Sequence, residues 1–134
     1  MAVGFVKRYL QVVDEFGWQS PPYPSRAISL WRDLVADCER GYDFGLVEYQ
    51  HDLRIRDLLQ CVLDDPTIAE TPEREWFSAE VEEIDRRFRA LLSEEPVTSS
   101  AGEPWWRKRV PARAGEEFCA DAEDRYGIIL ECVE

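Results

Sequence analysis

A mainly α-helical, single-domain bundle of about five helices is what this sequence predicts, and three observations predict it. Apolar residues recur at three- and four-residue spacing in five successive stretches. Glycine or proline punctuates the gaps between them. The one β-branched apolar run, residues 128–133, is too short to build a sheet by itself and reads as a short strand or an extended tail. A chain of 134 residues suffices for one core without disulfide or metal staples, so residues 1–134 are read as one domain.

The first stretch, residues 3–16, places Val6, Tyr9, Leu10, Val13 and Phe16 on one helical face, with Gly17 where a left-handed C-terminal cap belongs. Pro21, Pro22 and Pro24 make the following segment a rigid loop. Ser25 offers an N-cap for a second helix running to about Arg40, with Ile28, Trp31, Leu34, Val35 and Cys38 as its stripe and Gly41 as its stop. Residues 42–45 form a short aromatic connector.

Residues 45–66 have no interior glycine or proline and read as one long helix ending at Asp65-Pro66. At roughly 100° per residue, Val47, Ile55, Leu58, Leu59, Val62 and Leu63 fall within an arc of about 160° and are assigned to the core. Glu48, His51 and Asp52 fall in the same arc, so burying the leucines brings these three to the boundary as a partly buried polar cluster. Asp52 and Arg56 have the spacing of an intrahelical ion pair, while Arg54 and Asp57 are placed toward solvent.

Thr71 as N-cap and Pro72 in the first turn start a fourth helix, with Phe77, Val81, Ile84, Phe88, Leu91 and Leu92 buried. Its flank is acidic: from Asp64 to Asp85 there are nine acids against one base, Arg74. Residues 93–111 read as a long flexible loop whose second half, Trp105-Trp106-Arg107-Lys108-Arg109, is the one concentrated basic segment. There the expectation is that tryptophan packs on the bundle and the bases pair with the acidic fourth helix. Residues 112–126 supply a fifth helix, with Ala114, Phe118, Ala122 and Tyr126 inward and Gly127 as cap.

Composition narrows the function. A net charge of −12 repels DNA, RNA and anionic membrane surfaces, so no direct nucleic-acid or membrane partner is expected. Residues 1–16 mix apolar and charged positions and match neither a secretory signal nor a membrane span. Cys38, Cys61, Cys119 and Cys132 show no C-x-x-C spacing and read as reduced thiols, which points to the cytoplasm.

Glu48-x-x-His51 has the spacing of a helical metal half-site, but a chain with one histidine cannot complete a two-histidine set, and no metal or cofactor is expected. No G-x-S-x-G, P-loop, G-x-G-x-x-G or H-E-x-x-H motif occurs. The expected function is therefore a small acidic protein-binding module. Its sharpest version is an inhibitor of the immunity type, neutralising a basic partner by electrostatic steering. Glu70, Glu73, Glu80, Glu83, Trp105 and Trp106 are its candidate contact residues. The alternative is a small enzyme or ligand-binding protein whose pocket is lined by Glu48, His51 and Asp52, the weak catalytic candidates.

Overall fold

The computed structural model describes residues 4–19, 22–97 and 102–133. The chain is mainly α-helical. Four longer helices carry the main core: α1 (Phe5–Phe16), α2 (Pro24–Arg40), α4 (Arg54–Asp64) and α6 (Glu73–Arg89). Helix α2 lies against α6 and α4, α1 lies against α4, and α6 closes on α4. Trp31, Phe77, Phe88, Leu58, Leu59 and Ile68 fill the space between them. Short turns of helix, α5 (Pro66–Ala69) and α7 (Trp105–Lys108), sit on the connections.

A second, smaller layer completes the domain. Helix α3 (Leu46–Asp52) packs on α8 (Glu116–Tyr126) through an edge-to-face trio: Tyr49 meets Phe118 at 5.0 Å between centroids and Tyr42 at 5.5 Å. Strand β1 (Arg113–Ala114) precedes α8 and β2 (Glu131–Cys132) follows it. The two pair in parallel, Arg113 opposite Glu131 and Ala114 opposite Cys132, which gives the C-terminal segment its partner. Gly115 must be glycine for this layer to close, because a Cβ there would lie 2.7 Å from the Tyr42 carbonyl oxygen.

The glycine stops fall where the sequence puts them: Gly17 (φ 95°) and Gly127 (φ 68°) are left-handed caps. The starts differ. Pro24 rather than Ser25 opens α2, its missing N–H costing nothing in a first turn. Thr71 caps no helix; its hydroxyl donates to the Ile68 carbonyl at 2.7 Å, and α6 begins at Glu73. In α1 the face is turned: Phe5, Tyr9, Val12 and Val13 are buried, while Val6 and Leu10 are exposed.

The expected single helix over residues 45–66 is two helices. At Leu53 (ψ −13°) the backbone flattens and the ladder changes pitch, so one helical wheel does not hold across it. Ile55, Leu58, Leu59 and Val62 are buried as expected, and Leu63 is half-buried. Val47 is 70 % exposed instead, because Leu46 and Tyr49 take the inward positions of α3.

Within residues 93–111, the described stretches 93–97 and 102–111 are tied together by backbone hydrogen bonds. The Ser93 amide donates to the Val110 carbonyl at 2.7 Å and the Val97 amide to the Lys108 carbonyl at 2.6 Å, closing the segment on itself. Residues 98–101 of the expected flexible loop lie outside the described residues. Among the described residues no helix is long and apolar enough to cross a membrane.

Candidate functional site

The break at Leu53 decides the fate of the polar cluster. Glu48, His51 and Asp52 are all exposed, not partly buried. Asp52 accepts a hydrogen bond from the Tyr42 hydroxyl at 2.6 Å and, with His51, edges a shallow groove against Trp18 and Leu34. Glu48 does not line that groove; its Oε2 comes up against Gly45. A buried acid–base pair poised for catalysis is not formed. The expected Asp52–Arg56 pair is not formed either.

Arg56 points inward. Its Nε and Nη2 donate to the two carboxylate oxygens of Asp85, each at 2.9 Å, and Asp85 also accepts from the Trp31 indole N–H at 3.0 Å. The arginine stem comes from α4, the carboxylate from α6 and the indole from α2, so one polar node joins three core helices. Trp106 covers it, with the Arg56 guanidinium 4.2 Å from its ring centroid.

Asp57, expected in solvent, is the anchor of the basic segment. It accepts from the Trp106 indole at 2.8 Å and from Arg107 at 2.6 and 3.2 Å. The bases therefore pair with α4 and with backbone rather than with the acidic α6: Arg109 donates to the Ser93 carbonyl at 3.0 Å. Trp106 is buried, and Trp105 is half-buried with Arg89 over its ring.

The acidic run on α6 is partly spoken for. Glu80 is paired with Arg32 at 3.1 Å and Glu83 with Arg86 at 2.9 Å. Glu70 and Glu73 are exposed and flank a hollow over Phe5. Of the six expected contact residues, only these two present an unpaired side chain among the described residues.

The structure assembles a different acidic face around the start of α3. Phe44 is 59 % exposed and Val47 70 % exposed, three residues apart on either side of the N-cap Gly45. A Cβ on Gly45 would lie 2.8 Å from both Glu48 Oε2 and Asp121 Oδ2 and 3.5 Å from Glu117 Cδ, so three carboxylates converge there. Asp121 is held by the Leu46 amide at 2.9 Å. Asp43 stands beside Gly115 on the same connector. None of these four acids is in an ion pair among the described residues. The sequence held a signal for half of this: Glu117 and Asp121 are four apart, hence on one face of the last helix. Their meeting with Phe44 and Glu48 is tertiary.

Behind α3 lies a pocket of about 190 Å³ between Leu46, Gln50, Leu53, Val110 and Tyr126. The Tyr49 hydroxyl borders it, buried and without a hydrogen-bond partner among the described residues, and burial pushes its pKa well above the ordinary phenol value. Among the described residues no group of three or more His, Cys, Asp or Glu side chains is arranged to hold a metal ion. Comparison with protein-family models, curated proteins and solved structures finds no match to this chain.

Proposed function

We propose that this chain is a small protein-binding module that meets a basic partner, in the manner of an inhibitor or immunity-type protein, through the face at the start of α3. One observation supports the reading: two exposed apolar side chains, Phe44 and Val47, stand among four unpaired carboxylates, Asp43, Glu48, Glu117 and Asp121. An exposed aromatic and aliphatic pair supplies desolvation energy at the centre of a contact, while a rim of one charge steers the encounter and rejects like-charged partners. The overall charge of −12 extends that field over the molecule. The expected face on α6 has weaker support, since Glu80 and Glu83 already have cationic neighbours. The alternative, an enzyme or ligand site at Glu48, His51 and Asp52, also has less support, because all three are exposed.

The test compares three immobilised proteins in a lysate of the source organism at low salt: wild type, Phe44→Ser with Glu117→Lys, and Glu80→Lys with Glu83→Lys. A basic protein held by wild type and by the α6 variant, released by salt, and lost from the Phe44/Glu117 variant is the expected result. Retention by the Phe44/Glu117 variant and loss from the α6 variant would move the contact to α6. Retention by both would overturn the electrostatic reading altogether.

A further inference from the structure

Two of the four cysteines are brought together by the C-terminal ladder. Helix α8 packs against both β1 and β2, and Cys119 lies at the end of its first turn. Its sulfur is 3.5 Å from the Ala114 carbonyl oxygen and 3.7 Å from that of Glu131. These two oxygens bracket Cys132. Glu131 precedes it in the chain, and the Ala114 carbonyl accepts from the amide of Val133, the residue after it, at 2.9 Å. The buried Cys119 thiol therefore lies beside the Cys132 backbone.

Register sets the direction of the Cys132 side chain. Cys132 is paired with Ala114, and paired residues of neighbouring strands point to the same face of the sheet. Ala114 is fully buried, so Cys132 starts from the inward face that α8 covers, while remaining exposed itself. Its sulfur leans back toward the Leu130 carbonyl, at 3.9 Å. Rotation about one side-chain bond redirects it. The thiols already sense each other: burial first, and then the neighbouring Cys132, pushes the Cys119 thiol up. A disulfide needs its two Cα atoms about 4–7 Å apart, so only cysteines whose backbones pack together form one. The sulfur-to-backbone contacts of Cys119 show packing of that kind.

We propose that Cys119 and Cys132 are a modification site: a thiol pair that closes to a disulfide by exchange with a low-molecular-weight disulfide, stapling β2 to α8. The exchange takes two steps. The exposed Cys132 loses its proton to solvent and attacks one sulfur of the small disulfide, breaking that S–S bond and releasing one small thiolate. The Cys119 sulfur, its proton likewise lost to solvent, then attacks the Cys132 sulfur of the mixed disulfide and expels the second small thiolate. Each thiolate takes up a proton. The chain gives up two electrons and two protons, and the small disulfide gains them as two thiols. Cys119 is buried and stays protonated at neutral pH, so it resolves the mixed disulfide rather than starting the exchange. The bond closes residues 119–132 into a loop, and β2 cannot leave α8 while it is shut. The pair stands or falls independently of the partner proposed at α3.

The experiment incubates the full native chain with oxidised glutathione, quenches with acid, alkylates the remaining thiols in urea and maps the unreduced peptides by mass spectrometry. A cross-link between the Cys119 and Cys132 peptides, lost on treatment with dithiothreitol, is expected. Cys61→Ser should leave that cross-link unchanged. Cys119→Ser should trap the glutathione adduct on Cys132 at about ten times the wild-type level or more, because nothing resolves it. Cys132→Ser should leave Cys119 unmodified. In the cross-linked chain the Glu131 and Val133 amides should exchange with deuterated buffer about tenfold more slowly, or slower still, than in the reduced chain. Cys132 is exposed, so its variant tests the pair even if Cys119→Ser does not fold. A lasting glutathione adduct on Cys132 beside a free Cys119 in the wild type, or a cross-link that forms only in urea, would overturn the inference. Unchanged amide exchange after cross-linking would overturn the stapling of β2.

Discussion

Arg56 and Asp85 meet face to face in the core, guanidinium to carboxylate, through two hydrogen bonds of 2.9 Å, with side-chain exposures of 3 % and 6 %. The geometry is the fork-to-fork arrangement that arginine alone provides. Such a pair contributes little net stability compared with apolar residues of the same volume, but breaking it strands a charge. Asp85→Ala should therefore destabilise the fold by about 3–5 kcal/mol in urea denaturation, whereas replacing both partners by apolar residues should cost far less. A double variant as damaged as the single one would show that the node contributes more than compensation of two buried charges.

The two halves of residues 45–66 should respond oppositely to truncation. Leu58 is fully buried, and Leu58→Ala should cost about 2–5 kcal/mol. Val47 is mostly exposed, and Val47→Ala should change stability by less than about 0.5 kcal/mol. The same denaturation curves measure both. A large effect at Val47 would contradict the orientation of α3.

Acid sensitivity should centre on Asp65. Its carboxylate accepts from Arg8 at 2.7 and 3.0 Å and caps α5 through the Ile68 amide at 3.0 Å. The Arg8 hydrogen bond, chiefly, holds its pKa below the usual carboxylate value. A depressed folded-state pKa means that this stabilisation is present above the unfolded pKa of about 3.9 and is lost as pH falls through the folded value. Asp65→Asn keeps a capping oxygen but not the charge, so its stability should depend less on pH in the acid range than the wild type's. Asp65→Ala should lose the cap as well, a further cost of about 0.5–2 kcal/mol. Parallel acid limbs for wild type and Asp65→Asn would rule out this pairing as a source of acid sensitivity.

Thiol chemistry should divide the cysteines into two classes. Cys61 and Cys132 are exposed, while Cys38 and Cys119 are buried, and burial pushes the thiols of both buried residues up to about 12. Only the thiolate reacts. Iodoacetamide at neutral pH should modify Cys61 and Cys132 in the native protein, and Cys38 and Cys119 only after denaturation, as mass spectrometry of peptides would show. Early modification of Cys38 would mean that the α2 face opens.

The helices were legible because their periodicity and stops are local: Trp31, Val35 and Cys38, or Phe77, Val81 and Phe88, repeat at helical spacing, and Gly17 and Gly127 end what precedes them. The break at Leu53 was not legible, since neither glycine nor proline marks it. It follows from where Tyr49 and Phe118 meet, a contact distant in sequence. The same holds for the charged groups. Spacing offered Arg56 a partner in Asp52, worth tenths of a kcal/mol at the surface, but packing buries Arg56, and a buried guanidinium needs the carboxylate that folding brings from another helix. Glu80 is paired by Arg32 of α2, a contact only folding makes, and Glu83 by Arg86 three residues on, a spacing already in the sequence; the face of Phe44, Glu117 and Asp121 is assembled by folding alone.

The parallel pairing on either side of α8 has a dynamic consequence. The Gly115 amide donates to the Tyr42 carbonyl at 2.8 Å, and the Glu131 and Val133 amides donate to the Ala112 and Ala114 carbonyls at 2.9 Å each. Helix α8 is thus clasped at both ends by one ladder, and it cannot peel from α3 while the clasp is shut. A clasp that opens as one unit releases these amides together. In deuterated buffer, Gly115, Glu131 and Val133 should therefore share one opening free energy, below that of Leu58 in the main core. That makes the α3–α8 layer, with its acidic face, a cooperative subdomain that can loosen while the four-helix core stays closed.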